Sequence, residues 1–471
     1  MCVFARYRFF VGLPNIGFVG AFENEVQSMK STTLISVVLL ISGIAVAASA
    51  QASDPQSAGI EAPQSALGND AMPIVEYRLT PDKLLQAEAL YRTNLKMYMF
   101  DAVYGLAVLL LVLWLRVSAR YRDWAERASR RRIVQVIIFA PLLLITIDLL
   151  TLPITLYGHY LQRSYGLSVQ SWNSWFWDWT KGEVIGTVIA TLLVWGLYAI
   201  LRRAPQRWWF YGWLASIPVI LMLVFIQPMF IAPLFNTFDS LEATQPQLVP
   251  ELEKVMHRGG LEIERSRMFQ MQASDKVTTY NAYVTGIGAS KRVVVWDNTA
   301  KDMTIPETMF VFGHEQGHYV LHHIWISIAV LIGSVLISLY LAHRFAGAVL
   351  ARWGARWGVR DIGDWASLPV LLLIFSVFSL LSQPLGAGLQ RYLEHQADIY
   401  GLEAVHGLVP DSPQVAAHAF QKLGEKALAY PDPNALFVMW TFSHPPIADR
   451  IRFAVQYQPW NDDQSMRYVA Q

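Results

Sequence analysis

A single cysteine, Cys2, stands in a chain of 471 residues. Neither a disulfide framework nor a thiolate metal site can be built from it, so any metal must be held by histidine and carboxylate. Charge is scarce as well: Asp, Glu, Lys and Arg make up 15% and the formal net charge is +1, well below the charge content of ordinary soluble domains. No basic stripe with interleaved aromatics occurs, which excludes a nucleic-acid partner. No internal repeat or nucleotide-binding glycine motif stands out either. What the chain has is 54% hydrophobic residues and 17 Trp, gathered into long apolar runs. The fold class this predicts is mainly α: a polytopic membrane protein whose first partner is the lipid bilayer.

Met29 and Lys30 lead into an apolar run from Thr32 to Ala48 and the small-residue stretch Ala48-Ser49-Ala50, the pattern of a secretory signal. The run is long for a signal core, so an uncleaved anchor is the competing reading, and residues 1–28 read as an upstream extension. Residues 51–84 are expected to be a flexible linker, rich in Ala, Ser, Gln and Pro as far as Pro73. Six further apolar segments are long enough to span a bilayer, near 97–117, 133–155, 183–200, 209–230, 324–343 and 366–386. The first four form a membrane region at 85–230, and the last two belong to a second region at 231–471. With the anchor, the count is six or seven.

Loop charge orients the spans. Arg116, Arg120, Arg122, Arg127 and Arg130 to Arg132 lie between the first and second, Arg202, Arg203 and Arg207 between the third and fourth, and Arg344, Arg352, Arg356 and Arg360 between the fifth and sixth. By the positive-inside rule these loops are cytoplasmic. The stretches 156–181, 231–323 and the tail after Gly388 then face the exterior, as the signal pattern also requires. The cluster Trp172, Trp175, Trp177 and Trp179 reads as a membrane-water interface, and Asp101 and Asp148 inside apolar spans point to a polar interior.

In the exterior stretch lies His314-Glu315-Gln316-Gly317-His318. On a helix, residues i and i+4 share a face, so both imidazoles can reach one metal while Glu315 stands aside to take a proton from water. Thr304-Ile305-Pro306-Glu307 supplies a helix start, with Thr304 as N-cap and Glu307 closing a capping box. That helix is expected to run on into the fifth span. Two histidines leave a catalytic zinc one protein ligand short. Glu394-His395-Gln396-Ala397-Asp398 can supply it, with Glu394 as ligand and Asp398, one turn on, accepting the outward N–H of a ligating histidine. Two spans separate the segments, so the chain has returned to the membrane face it left. His322 falls on the face of His318 and is a rival third ligand.

These motifs, with Arg391 before the acidic segment, Ser443-His444-Pro445-Pro446, Arg450-Ile451, Pro233-Leu234-Phe235-Asn236, Asn281 to Gly286, Lys291 to Asp297 and Tyr165-Gly166-Leu167-Ser168, resemble the type I CAAX prenyl endoproteases, integral-membrane zinc metallopeptidases. The resemblance covers roughly residues 85–460, in family order. It implies one zinc ion per chain on His314, His318 and Glu394, with Glu315 as general base and Asp398 orienting a ligand. It also implies that Arg391, His444 and Arg450 line the site, His444 as oxyanion donor, and that the histidine favoured after the pentad is His323. Asn281 and Ala282, beside a strand edge at Val293 to Trp296, are expected to pair with an extended peptide. The resemblance further implies helices around a water-filled chamber. The function expected is therefore endoproteolysis of a peptide or protein substrate, lipid-modified or not, on the exterior face of a bacterial inner membrane. An envelope quality-control protease of broad specificity shares this chemistry, and a non-catalytic scaffold or transporter is the alternative of a different class.

Overall fold

The structure is a computed structural model that describes residues 73–286, 290–461 and 464–469. The signal or anchor, the extension before it and the linker up to residue 72 lie outside those residues. Among the described residues six helices are long and apolar enough to cross a membrane. Four come first. α1 is Pro81–Trp114, followed by the amphipathic α2 at Val117–Ala128, then α3 at Arg132–Ser164, α4 at Trp172–Arg203 and α5 at Trp208–Ile226. A π-turn at Gln227–Ile231 and a 3-10 turn at Ala232–Leu234 extend α5, where Pro228 and Pro233 withhold the N–H groups a regular helix would use.

These helices overrun the apolar runs that predicted them. α1 starts at Pro81 and not near residue 97, because its first turns bury Ala87 and Leu90 against Leu161, Leu167 and Leu428. The end of the expected linker is packed too: Tyr77 is buried and its hydroxyl donates to the Ala429 carbonyl at 3.0 Å. Hydropathy reports only the part of a helix that meets lipid, and the protein-facing turns escape it.

The three arginine-bearing connections meet at one end of the bundle. Arg116 Nε donates to the Arg356 carbonyl at 2.7 Å, Arg202 Nε to that of Gly363 at 2.8 Å, and buried Arg122 pairs with Asp364. At the other end the chain forms a four-stranded sheet from β1 (Phe238–Ser240), β2 (Met268–Met271), β3 (Ala282–Thr285) and β4 (Arg292–Trp296), in the order β1-β2-β4-β3. β2 and β4 run parallel, and the outer pairs are antiparallel. The helix α6, Leu248–Arg258, joins β1 to β2. The strand expected as the edge, Val293 to Trp296, lies inside the sheet. Its Val293, Val294 and Val295 are fully buried with neighbours on both sides, and β3 takes the edge. A run of three β-branched residues packs on both faces, which favours an interior strand.

Lys276 ties this end to the membrane bundle. Its Nζ sits 2.7 Å from Asp178 Oδ2 of α4 and donates to the Phe235 carbonyl at 2.7 Å, both within buried surroundings. Trp175, one of the four clustered tryptophans, is fully buried and stacks on His159, while Trp172 and Trp177 stay exposed at the start of α4.

The rest of the chain is helical: α7 (Ile305–Val320), α8 (His323–Trp357), α9 (Leu368–Val405), α10 (Ser412–Lys426), α11 (Ala435–Thr441) and α12 (Ile447–Gln456). α8 and α9 are the fifth and sixth spans, and α9 continues well beyond its apolar run. The predicted capping box opens α7, with Thr304 N donating to Glu307 Oε2 at 2.7 Å. α7 does not run on into the fifth span: it stops at Val320, and His322 adopts a left-handed conformation, φ 60°, before α8 begins. Every residue of α7 from Glu307 to His318 is buried, with Met309, Phe310 and Phe312 in the same core as Val293 and Val295 of the sheet and Tyr400 of α9.

Candidate metal centre

The centre exists because α7 and α9 approach unusually closely, and glycine permits it. A Cβ on Gly401 would stand 3.0 Å from His314 N and 3.2 Å from Phe310 Cε2. One on Gly317 would meet Tyr400 Cβ at 2.9 Å, and one on Gly313 would lie 3.4 Å from Gly401 Cα. The pentad helix therefore presses against the carboxyl-terminal third of α9, where the acidic segment lies. Gln316, on the far side of α7, anchors it by donating to the Met256 carbonyl of α6 at 3.2 Å.

Two imidazole nitrogens and the two oxygens of one carboxylate converge across this contact. Nε2 of His314 and Nε2 of His318 are 3.2 Å apart, Glu394 Oε2 is 3.2 Å from the former, and Glu394 Oε1 is 3.4 Å from the latter. Bonds of zinc to nitrogen and oxygen near 2.1 Å in a tetrahedral arrangement require ligand atoms about 3.4 Å apart. The donor set, two imidazoles and a carboxylate, is also one that zinc takes. All three residues are buried, and they are the one cluster of this kind among the described residues. The structure thus brings together the three residues expected to ligate a metal, and rejects the rival: His322 ends the helix and points to solvent.

The groups around the cluster have fixed places. Asp398 Oδ1 lies 2.9 Å from Nδ1 of His314, and Gln390 Nε2 donates to Glu394 Oε1 at 3.2 Å. Burial alone would lower the basicity of His314, but its hydrogen bonds to Asp398 and Glu394 outweigh burial and hold its pKa up at about 9 in the metal-free protein. Glu315 is 5% exposed. Burial raises its carboxyl above the usual carboxylate range, opposed by His314, His318 and His444 and reinforced by Glu394. A carboxyl raised in this way is suited to accept and return a proton near neutrality.

The remaining expected residues are partly in other employment. His444 belongs to the centre, its Nε2 3.0 Å from Glu394 Oε2. Arg450 borders the centre, its Nη2 3.5 Å from Nδ1 of His314, and its guanidinium pairs with Asp398, Nε 3.0 Å from Oδ2 and Nη2 2.6 Å from Oδ1, over the Phe420 ring. Arg391 donates to the carbonyls of Val438 and Phe442 at 2.9 and 2.6 Å, pinning the chain that leads into Ser443 and His444. Ala282 opens the edge strand β3 and Asn281 directly precedes it. Asn281 is fastened through its backbone, its N–H donating to Thr299 Oγ1 at 2.7 Å and its carbonyl accepting from the same hydroxyl at 2.8 Å. Sequence reasoning assigned nothing to Gly401 or to Gln390. A glycine one turn beyond Asp398 was the available signal for the close helix contact.

Residues 68–237 match the family described as CAAX prenyl protease N-terminal, five membrane helices, and residues 242–458 match peptidase family M48. The uncharacterized metalloprotease YhfN of Bacillus subtilis is 34% identical over 341 residues, 72% of this chain and 77% of its own. The CAAX prenyl protease 1 homolog of Homo sapiens is 25% identical over 385 residues, again 72% and 77%. Among solved structures, S. mikatae Ste24p superposes with a TM-score of 0.69 at 21% identity, covering 83% of this chain and 92% of the other, which establishes the shared fold. The family match runs through both halves of the chain in order, and a bacterial metalloprotease shares a third of its residues across most of both chains. This chain therefore belongs to the M48, CAAX prenyl protease-like family and is a membrane zinc metalloendopeptidase.

Proposed function

We propose that this protein holds one zinc ion on His314, His318 and Glu394 and hydrolyses internal peptide bonds of protein substrates at the exterior face of a bacterial inner membrane, with Glu315 as the general base. The observation that carries the reading is the convergence of His314, His318 and Glu394, one ligand atom from each within 4.8 Å of the others, beside a buried glutamate in the same helix as the histidines. Zinc, when bound, supplies a Lewis acid for the scissile carbonyl and makes water acidic enough to be deprotonated near neutral pH. Glu315 takes that proton and returns it to the leaving amine. His444, at the cluster's margin, donates to the oxyanion that develops on the carbonyl. Asp398 keeps His314 in the tautomer that leaves Nε2 free, with Arg450 holding Asp398 in turn. Arg391 acts through the His444 segment. A peptide adds as a fifth strand along β3 from Ala282 onward, while Asn281, its backbone fastened to the Thr299 hydroxyl, fixes the start of that edge.

The meeting of three arginine-rich connections at the end of the bundle away from the cluster supports the orientation. α8 begins five residues after His318 and runs about 50 Å to the arginine end. Buried Asn94, Asp101, Asp148, Thr151, Thr155 and His159 on the spans support a hydrated chamber between them. The separate family matches support dividing the chain into a membrane region, 85–230, and a metallopeptidase region, 231–471. An exterior site has no access to prenylated cytosolic tails, so unfolded or unassembled envelope proteins are the substrate class and a lipid modification is not required.

The purified protein, offered unmodified and farnesylated peptides side by side with and without a chelator, tests this. Chelator-sensitive cleavage of the unmodified peptide with one bound zinc is expected. Cleavage of the farnesylated peptide alone would overturn the substrate reading, and absence of zinc would overturn the function. For orientation, Glu262→Cys and Arg130→Cys in a Cys2→Ser background should label from outside the cell and not label, respectively; the reverse pattern refutes the exterior site.

A further inference from the structure

His318 and His314 are both placed to ligate through Nε2, which leaves each Nδ1 facing away from the metal. A neutral ligating imidazole carries its proton on that far nitrogen, and something must accept it. For His314 the acceptor is Asp398. For His318 no carboxylate stands there among the described residues: its Nδ1 lies 3.0 Å from Nδ1 of His323, with the two rings close to perpendicular at 74°. Both side chains are buried, His318 at 4% and His323 at 2% exposure.

We propose that His323 is the positioning residue for His318, accepting its Nδ1 proton so that Nε2 stays turned to the metal; this rests on the zinc reading above. Two imidazole nitrogens at this separation must divide the roles of donor and acceptor. With His318 donating, His323 carries its own proton on Nε2. Gln396 lies beside His323. That Nε2 of His323 is buried and meets no hydrogen-bond partner among the described residues, so the bond to His318 is the one hydrogen bond the His323 ring makes there.

The backbone is arranged for the same end. In an unbroken helix a residue five positions beyond His318 would point about 140° round the axis from it and could not meet it. α7 instead stops at Val320, and His322 turns the chain in the left-handed region at φ 60° and ψ 25° while its own side chain is exposed. Such a conformation at a residue other than glycine is disfavoured and persists where the surrounding structure demands it. What the turn delivers here is the His323 ring against His318. The two zinc-ligating histidines are therefore supported unlike each other. Behind His314 stands an anion held by Arg450, and behind His318 stands a neutral ring that adds no charge.

The test is the zinc dissociation constant of the full-length protein in detergent, read by competition with a chelator of known affinity, alongside the melting temperature of the metal-free form. His323→Phe fills the space without an acceptor, and His323→Asn restores an acceptor oxygen. The expected result is a loss of about 10- to 100-fold in zinc affinity for the Phe variant, with the Asn variant recovering most of it and both metal-free forms melting like wild type. His322→Gly, which adopts the left-handed turn without cost, should keep wild-type affinity. Wild-type zinc affinity in His323→Phe would overturn the inference while leaving the zinc reading intact. So would Asn and Phe variants that lose affinity and melting temperature equally, because His323 would then be packing only. A wild-type protein that binds no zinc would instead sink the zinc reading itself.

Discussion

Asp398 Oδ1 stands 2.9 Å from Nδ1 of His314 and accepts at the same oxygen from Arg450 Nη2 at 2.6 Å, while Arg450 Nε donates to Oδ2 at 3.0 Å. α9 supplies the anion, α7 the imidazole and α12 the cation, so three helices are locked at one buried point. A buried carboxylate is costly unless paired and hydrogen-bonded. Here it has both, and it also sets the tautomer of a proposed metal ligand.

Asp398→Asn keeps the shape and removes the charge. Zinc affinity should fall about 10- to 100-fold, as measured by chelator competition. Arg450→Ala strands the buried carboxylate and should cost about 3–5 kcal/mol in unfolding free energy, seen in chemical denaturation. A neutral outcome for both would mean that the ion pair neither positions His314 nor stabilises the fold.

Glu315→Gln should reduce turnover by at least about 10²- to 10⁴-fold while zinc content stays at the wild-type level, because the base is lost and the ligands are not. Metal analysis of the inactive variant checks this. Retained turnover would refute Glu315 as base.

Zinc affinity should rise with pH. His314 is held at about 9 in the metal-free protein, so below that pH its ring carries a proton on the nitrogen zinc requires, and binding must expel it. One proton displaced gives up to about a tenfold gain in affinity per pH unit, fading above pH 9. Calorimetry in buffers of different ionisation enthalpy counts the released proton directly; binding without release contradicts the arrangement.

Gly401→Ala forces a methyl to within 3.0 Å of the His314 backbone nitrogen, where no side chain can swing aside. A loss of about 1–3 kcal/mol and weakened zinc binding are expected together. Gly333→Ala, with nothing within 4 Å in the middle of α8, serves as the control and should be neutral or slightly stabilising. Equal effects at both positions would show that the close approach of α7 and α9 is unimportant.

Arg391→Ala should slow turnover and leave zinc in place, because the arginine holds the Val438 and Phe442 carbonyls just ahead of His444. In the double variant with His444→Ala the two effects should overlap and not add, which a double-mutant cycle reads. Full additivity would separate Arg391 from His444.

The pentad was legible because i, i+4 spacing is a property of any helix, and Glu394 with Asp398 followed from needing a third ligand on the same membrane face. The six spans were legible because twenty apolar residues have few other uses. The pairing of Arg450 with Asp398 was not legible, because sequence carries residue type and order but not direction. The edge strand was placed on β4 for a similar reason, since β propensity marks strands without saying which has a neighbour on each side.

The sequence alone determined the class of molecule, its spans and which loops carry arginine, all of which follow from local composition, while periodicity and parity of crossings offered the candidate ligands and the family resemblance selected among them. Only the tertiary structure decided which groups stand behind those ligands. Asp398 on His314, His323 on His318 and Gly401 beneath both depend on how two helices cross and on one left-handed residue at His322, and these are set by packing between segments distant in the chain.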